Sequence, residues 1–187
     1  MMRHGALVLI SLTLFGASAC RVADTVSPVP RWIDAHVHLF QPAPAVHEML
    51  QRRNMAVMTI ALVWDYPGYP GFEEADPWHR RAIDFVRHAE GRAAWCSTFK
   101  PNGWEGEGFA RRTIVELDET FRNGAVAVKF NKDVGMRIKS RDGKFLMPDD
   151  PVFDPIWELL VARNKTLVTH LADTSAAWKP LDPSNVE

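Results

Sequence analysis

Asp34-Ala35-His36-Val37-His38 lies in the β-patterned run Arg31–Phe40 and sets two imidazoles at i, i+2, with a carboxylate two residues ahead of the first. Side chains alternate along a strand, so Asp34, His36 and His38 are expected on one face and Ile33, Ala35, Val37 and Leu39 on the other. Two neutral imidazoles aimed at one point make half of a transition-metal site, because imidazole suits zinc, copper, iron and nickel. The competing reading is structural: backbone carbonyls and water can satisfy such a pair. Asp34 likewise has two readings, as an outer acceptor that orients an imidazole or as a cap for nearby backbone.

Two further residues fall where α/β proteins place chemistry. Lys129 lies near the carboxyl end of the run Ala125–Phe130, and His170 near that of Thr166–Leu171. His170 alone reads equally well as an ordinary half-buried histidine, and only its strand-end place favours ligation. His47, His79 and His88 sit in helical patterns among charged neighbours and are expected at the surface. Cys96, inside the apolar run Ala93–Phe99, reads as a small buried hydrophobe rather than a nucleophile. Trp64-Asp65-Tyr66 closes another β-patterned run and reads either as pocket lining or as packing.

The elements that must position these residues alternate. Strands are expected at Trp32–Leu39, Ala56–Trp64, Ala93–Phe99, Ala125–Phe130 and Thr166–Leu171, with helices at Ala45–Arg53, Pro77–His88, Gly108–Arg122 and Pro151–Arg163. Such alternation is the signature of βα units around a parallel sheet. Asp76-Pro77 and Asp150-Pro151 supply an N-cap followed by proline at the first helical position, and Asn123-Gly124 supplies a stop. Ile114, Leu117 and Phe121, like Ile156, Leu159 and Leu160, recur at helical spacing and read as packing stripes. In Ala125–Phe130, parity groups Ala125, Ala127 and Lys129 against Val126, Val128 and Phe130, which suits a tight interior ringed by helices. The irregular segment Asn131–Asp149 leaves a strand's carboxyl end and reads as a functional loop or lid.

Composition bounds the class. The chain has 187 residues, is 47% hydrophobic and carries 22 basic against 23 acidic residues, which gives core enough for a domain and no basic field for nucleic acid. Arg3 and His4, the apolar run Gly5–Phe15 and Ala17-Ser18-Ala19-Cys20 read as a secretory signal over residues 1–19. Cys20 is either the lipid acceptor of a bacterial lipobox or a bystander to ordinary cleavage, and residues 20–30 read as a tether. Both readings place the protein outside the cytoplasm, in the periplasm, with membrane contact only through a lipid on Cys20. With Cys96 the only other cysteine, a disulfide framework is excluded.

DAHVHLF at Asp34–Phe40, GAVAVKF at Gly124–Phe130, PDDPVFDPIWELL at Pro148–Leu160 and KTLVTHLAD at Lys165–Asp173 resemble the amidohydrolase superfamily, within it the amidohydrolase-related (amidohydrolase-2) branch. That branch of metal-dependent barrel hydrolases also contains decarboxylases, hydratases and lactonases. The resemblance runs from Arg31 onward and implies a (β/α)8 TIM-barrel fold. It implies His36 and His38 as first-strand metal ligands and His170 as a fifth-strand ligand or metal neighbour. Lys129 would then bridge two metals as a carboxylated lysine, grip a substrate anion, or form a structural salt bridge. The implied cofactor is a divalent metal, zinc first, with manganese or iron as alternatives.

Five strands fall short of eight, and about 168 residues after the leader fall short of the roughly 250 of a typical barrel. Residues 31–187 are therefore expected to be the N-terminal part of such a barrel, with the family's sixth-strand histidine and eighth-strand general-base aspartate beyond Glu187. The expected activity is hydrolysis of a small-molecule ester, lactone or amide by a metal-activated water. A nonoxidative decarboxylase on the same frame is the first rival. A secreted or lipid-anchored protein without catalysis is the second.

Overall fold

A computed structural model describes residues 29–61 and 75–170, with the backbone alone for 75–77. The expected signal, Cys20 and most of the tether lie outside these residues, as do Trp64-Asp65-Tyr66 and the closing segment 171–187. Among the described residues no helix is long and apolar enough to cross a membrane.

The order is β1 (Trp32–Val37), α1 (Pro44–Arg53), β2 (Met55–Ile60), α2 (Ala75–His88), β3 (Ala93–Thr98), α3 (Phe109–Arg122), β4 (Ala127–Lys129), a 3-10 turn (Pro151–Phe153), α4 (Asp154–Ala162) and β5 (Thr166–Val168). All four strand pairings are parallel and the spatial order equals the sequence order. The result is a mixed α/β fold whose five-stranded parallel sheet curls into a half-barrel alternating with helices. Among the described residues β1 and β5 each pair on one side only, and Trp32, Ile33 and Leu167 are exposed along those edges.

The helix boundaries follow local chemistry. Asp150 caps the 3-10 turn by accepting from the Val152 N–H at 3.2 Å, with Pro151 next as expected. The helix expected over Pro151–Arg163 is divided between that turn and α4. α2 begins at Ala75, so Asp76 lies inside the helix instead of ahead of it. α3 ends as expected: Gly124 adopts φ +93°, its N–H meets the Phe121 carbonyl, and the Ala125 N–H meets that of Thr120. This paired closure needs a left-handed residue, which glycine supplies without a Cβ clash.

Register sorts the side chains onto two faces. Val57, Trp95 and Val128 face the helices: Val57 packs with Leu50 and Phe85, Trp95 with Ala82, and Val128 with Leu117 and Ile156. Ile60, Cys96 and Ala127 form a separate buried cluster on the inner face, with Met58 and Val168 against it. The expected alternation of small inner and large outer residues thus holds from Ala127 onward. It does not extend back to Ala125 and Val126, because β4 starts only at Ala127. Ala125 is buried with Ala82 and Trp95 on the helix side, and Val126 is exposed.

The segment 131–149 is folded back on itself. Lys139 bridges Phe145, the Gly135 N–H meets the Leu146 carbonyl, and Val134 and Leu146 are buried in the same core as Phe130. Arg141 reaches Glu105 at 3.7 Å and ties the segment to the β3–α3 connection.

Candidate functional site

The two first-strand histidines owe their placement to a bulge. Asp34 pairs with Val57 and Val37 with Thr59, three steps on β1 against two on β2. One extra residue reverses the parity of the remainder of the strand. Val37 joins Leu50, Val57 and Phe85 on the helix side, so His36 and His38 take the inner face, while Asp34 is in register with helix-facing Val57. The shared face expected for Asp34, His36 and His38 therefore does not survive the bulge. The Asp34 carboxylate instead accepts from the His36 backbone N–H at 3.0 Å, the backbone-capping alternative.

The His36 and His38 rings meet edge to face with centroids 5.3 Å apart. His38 Nδ1 lies 2.9 Å from the Ile60 carbonyl oxygen. A carbonyl can only accept, so Nδ1 carries a proton, and in the neutral ring Nε2 carries the lone pair. Burial, then the Lys129 ammonium and His38, hold the His36 imidazole below its usual value; the Asp34 carboxylate pulls the other way and His170 adds to the lowering. His36 is neutral at pH 7 in consequence.

Lys129 shares the inner face with Cys96, and the Thr98 hydroxyl donates to the Lys129 carbonyl at 3.0 Å, fixing the end of β4. Burial lowers the Lys129 ammonium from its ordinary value, with Cys96 opposing. His170 follows β5 by two residues and lies near enough to act on His36. The structure thus brings His36, His38 and Lys129 to one end of the inner face, with His170 in electrostatic reach of His36. Among the described residues, however, no three His, Cys, Asp or Glu side chains are gathered closely enough to hold an ion. The donor chemistry present is two neighbouring imidazoles, one with its Nδ1 engaged so that Nε2 is the ligating atom, and that set fits a borderline divalent cation as partial ligation.

From the imidazoles an aromatic series leads outward. His38 stacks on Phe40 at 6.1 Å, Phe40 meets Trp78 at 4.5 Å, and the Arg81 guanidinium lies 5.0 Å over the Trp78 ring. A recess of about 780 Å³ between α2 and α3, lined by Trp95, Lys100, Arg112 and Glu116 among others, holds none of the expected site residues.

Two histidines expected at the surface are packed instead. His47 lies 5.0 Å from the Phe85 ring, and His79 sits 5.5 Å from Trp95 with its Nε2 3.4 Å from the Ser97 hydroxyl. Both fall on the stripe that α1 and α2 turn toward the sheet, which outweighs their charged sequence neighbours. His88 is exposed, as expected, beside Asp84. Sequence reasoning missed the Ile60 carbonyl, since a backbone group leaves no residue signature. It also passed over Thr59, the one hydroxyl in the apolar strand Met55–Ile60.

Cys96 is fully buried, and burial pushes its thiol up to about 12 against a smaller opposing pull from Lys129. It is therefore unreactive at neutral pH. In native protein at pH 8 a thiol reagent is expected to leave Cys96 unmodified, with labelling of its peptide by mass spectrometry appearing only on denaturation. Because the folded value lies above the unfolded one near 9, the thiol's contribution is whole below pH 9 and lost as pH rises toward 12. Cys96→Ala should accordingly show a smaller loss of stability across that range in denaturant titrations. Comparison of the chain with protein-family models, with curated proteins and with solved structures finds no match, so the site stands on this chain's own geometry.

Proposed function

We propose that the chain is a metal-dependent hydrolase of the amidohydrolase-related kind, built on a βα-barrel frame and acting on a small-molecule ester, lactone or amide. The observation that carries the reading is the hydrogen bond from His38 Nδ1 to the Ile60 carbonyl. Metal-ligating histidines characteristically donate their second ring nitrogen in this way, which sets the tautomer and raises the basicity of the other. His36 and His38 would supply two ligands, and His170, not gathered with them closely enough in this structure, would have to close in to be the third. A bound divalent cation would supply Lewis acidity, polarising a substrate carbonyl and making water a stronger nucleophile at neutral pH.

The chain's own groups supply the rest. His36 needs no deprotonation at pH 7 to serve as a donor. Lys129 presents a cation on the inner face suited to an anionic group of the substrate. Ile60, Cys96 and Ala127 form a buried apolar floor, and Cys96, held as the thiol, offers no competing nucleophile. Decarboxylation of a small acid is the second reading, favoured by that same inward cation; carbon dioxide release without consumption of water separates the two.

Titration of the metal-free protein with zinc, followed calorimetrically and by thermal melting, is expected to show one bound ion per chain and a raised midpoint. Binding at 100 times the dissociation constant adds about 2.7 kcal/mol. Absence of any zinc uptake up to millimolar concentration would sink the proposal.

A further inference from the structure

The regular ladder of β1 ends at Val37, yet His38 lies one residue beyond it. Something other than strand pairing must hold that residue against β2. Thr59, fully buried at the end of β2, does so through one hydroxyl: its Oγ1 accepts from the Leu39 N–H at 2.9 Å and donates to the Leu39 carbonyl at 2.8 Å. Leu39 turns its side chain to the helix-facing core with Val37 and Val57. The neighbouring residue, His38, is thereby left facing inward with its Nδ1 on the Ile60 carbonyl. Thr59 and Ile60 are consecutive, so one stretch of β2 backbone sets both the main chain after His38 and the imidazole itself.

We propose that Thr59 is a positioning residue for His38: its hydroxyl replaces the missing ladder and fixes the ring whose Nε2 would ligate. The inference deepens the metal reading and rests on it only for its zinc arm. A hydroxyl is needed because the Leu39 N–H and C=O both require partners, and a single group that donates and accepts serves both. Valine matches threonine in shape and can serve neither.

The test uses the full chain as Thr59→Val and Thr59→Ser. In metal-free wild type, long-range proton–nitrogen NMR of the imidazole should give the Nδ1–H tautomer for His38, and the Leu39 amide should exchange slowly although it lies past the strand. Thr59→Val should give an averaged His38 tautomer and a 10- to 100-fold weaker zinc affinity, the range typical of outer-shell partners. Thr59→Ser should restore both. A role in packing alone predicts the opposite order, with valine silent and serine impaired, and that result overturns the proposal. Should Thr59→Val fail to fold, fast exchange of the wild-type Leu39 amide overturns it equally. Failure of zinc to bind wild type, with the tautomer still lost in Thr59→Val, would remove the metal reading and leave the positioning role standing.

Discussion

Replacing His38 by alanine is expected to weaken zinc binding by well over 100-fold and to abolish the zinc-dependent rise in melting temperature. Loss of an outer-shell partner alone costs 10- to 100-fold, and His38 would be a ligand itself. The substitution removes the Nε2 lone pair that the Ile60 carbonyl holds available, and the two facing rings are reduced to His36 alone. The apo protein should lose about 1 kcal/mol from the hydrogen bond to Ile60, so a folded variant is available for the measurement. His88→Ala is the control: that ring is exposed and bonds only within its own helix, to the Asp84 carbonyl at 2.8 Å. Equal loss in both variants would mean non-specific zinc uptake by surface imidazoles. Hydrolysis of an activated aryl ester by zinc-loaded protein should fall in parallel with affinity in His38→Ala and stay unchanged in His88→Ala.

The parallel α/β order was legible because each strand is a short run rich in β-branched or small apolar residues and each helix carries its own punctuation. Asp150-Pro151 and Asn123-Gly124 mark their boundaries through local hydrogen bonds, which a sequence can display. What escaped was non-local. The bulge in β1 depends on how that strand registers against β2, and nothing within Asp34–His38 announces an extra residue. Strand alternation alone consequently assigns Asp34 to the wrong face, although backbone capping is one of its two readings. Ala125 departs from its expected face for a related reason: the stop after α3 takes up its N–H before the ladder begins. His47 and His79 look solvated because their sequence neighbours are charged, yet helical geometry turns each of them away from those neighbours, against Phe85 and Trp95. The i, i+2 spacing puts the two imidazoles on a common face, while the bulge that turns them inward and the groups that orient them, Ile60 and Thr59, depend on another strand.

Phe153→Ala is expected to cost about 3–5 kcal/mol of folding stability, read as a lowered urea midpoint with little change in slope. Phe153 has no exposed surface, and its ring meets those of Phe130 at 5.1 Å, Trp157 at 5.6 Å, Phe109 at 6.1 Å and Phe99 at 6.4 Å. Few neighbours can collapse into the void, since they come from the segments just after β3 and β4 and from α3 and α4, each anchored separately. Against a typical total of 5–15 kcal/mol the loss is severe. Phe153→Leu keeps most of the volume and should cost less than half as much. The location makes the experiment informative about the site as well. Phe130 and Phe99 directly follow Lys129 and Thr98, whose side chains take the opposite face, so this cluster buttresses the β3 and β4 ends from the helix side. The imidazoles of β1 rest on a different core, that of Leu50, Val57 and Phe85. In Phe153→Leu, zinc affinity at His36 and His38 should therefore stay within a factor of about three. A large loss would mean that the two cores are mechanically coupled across the sheet and that Lys129, not the first-strand pair, governs how firmly the ion is held.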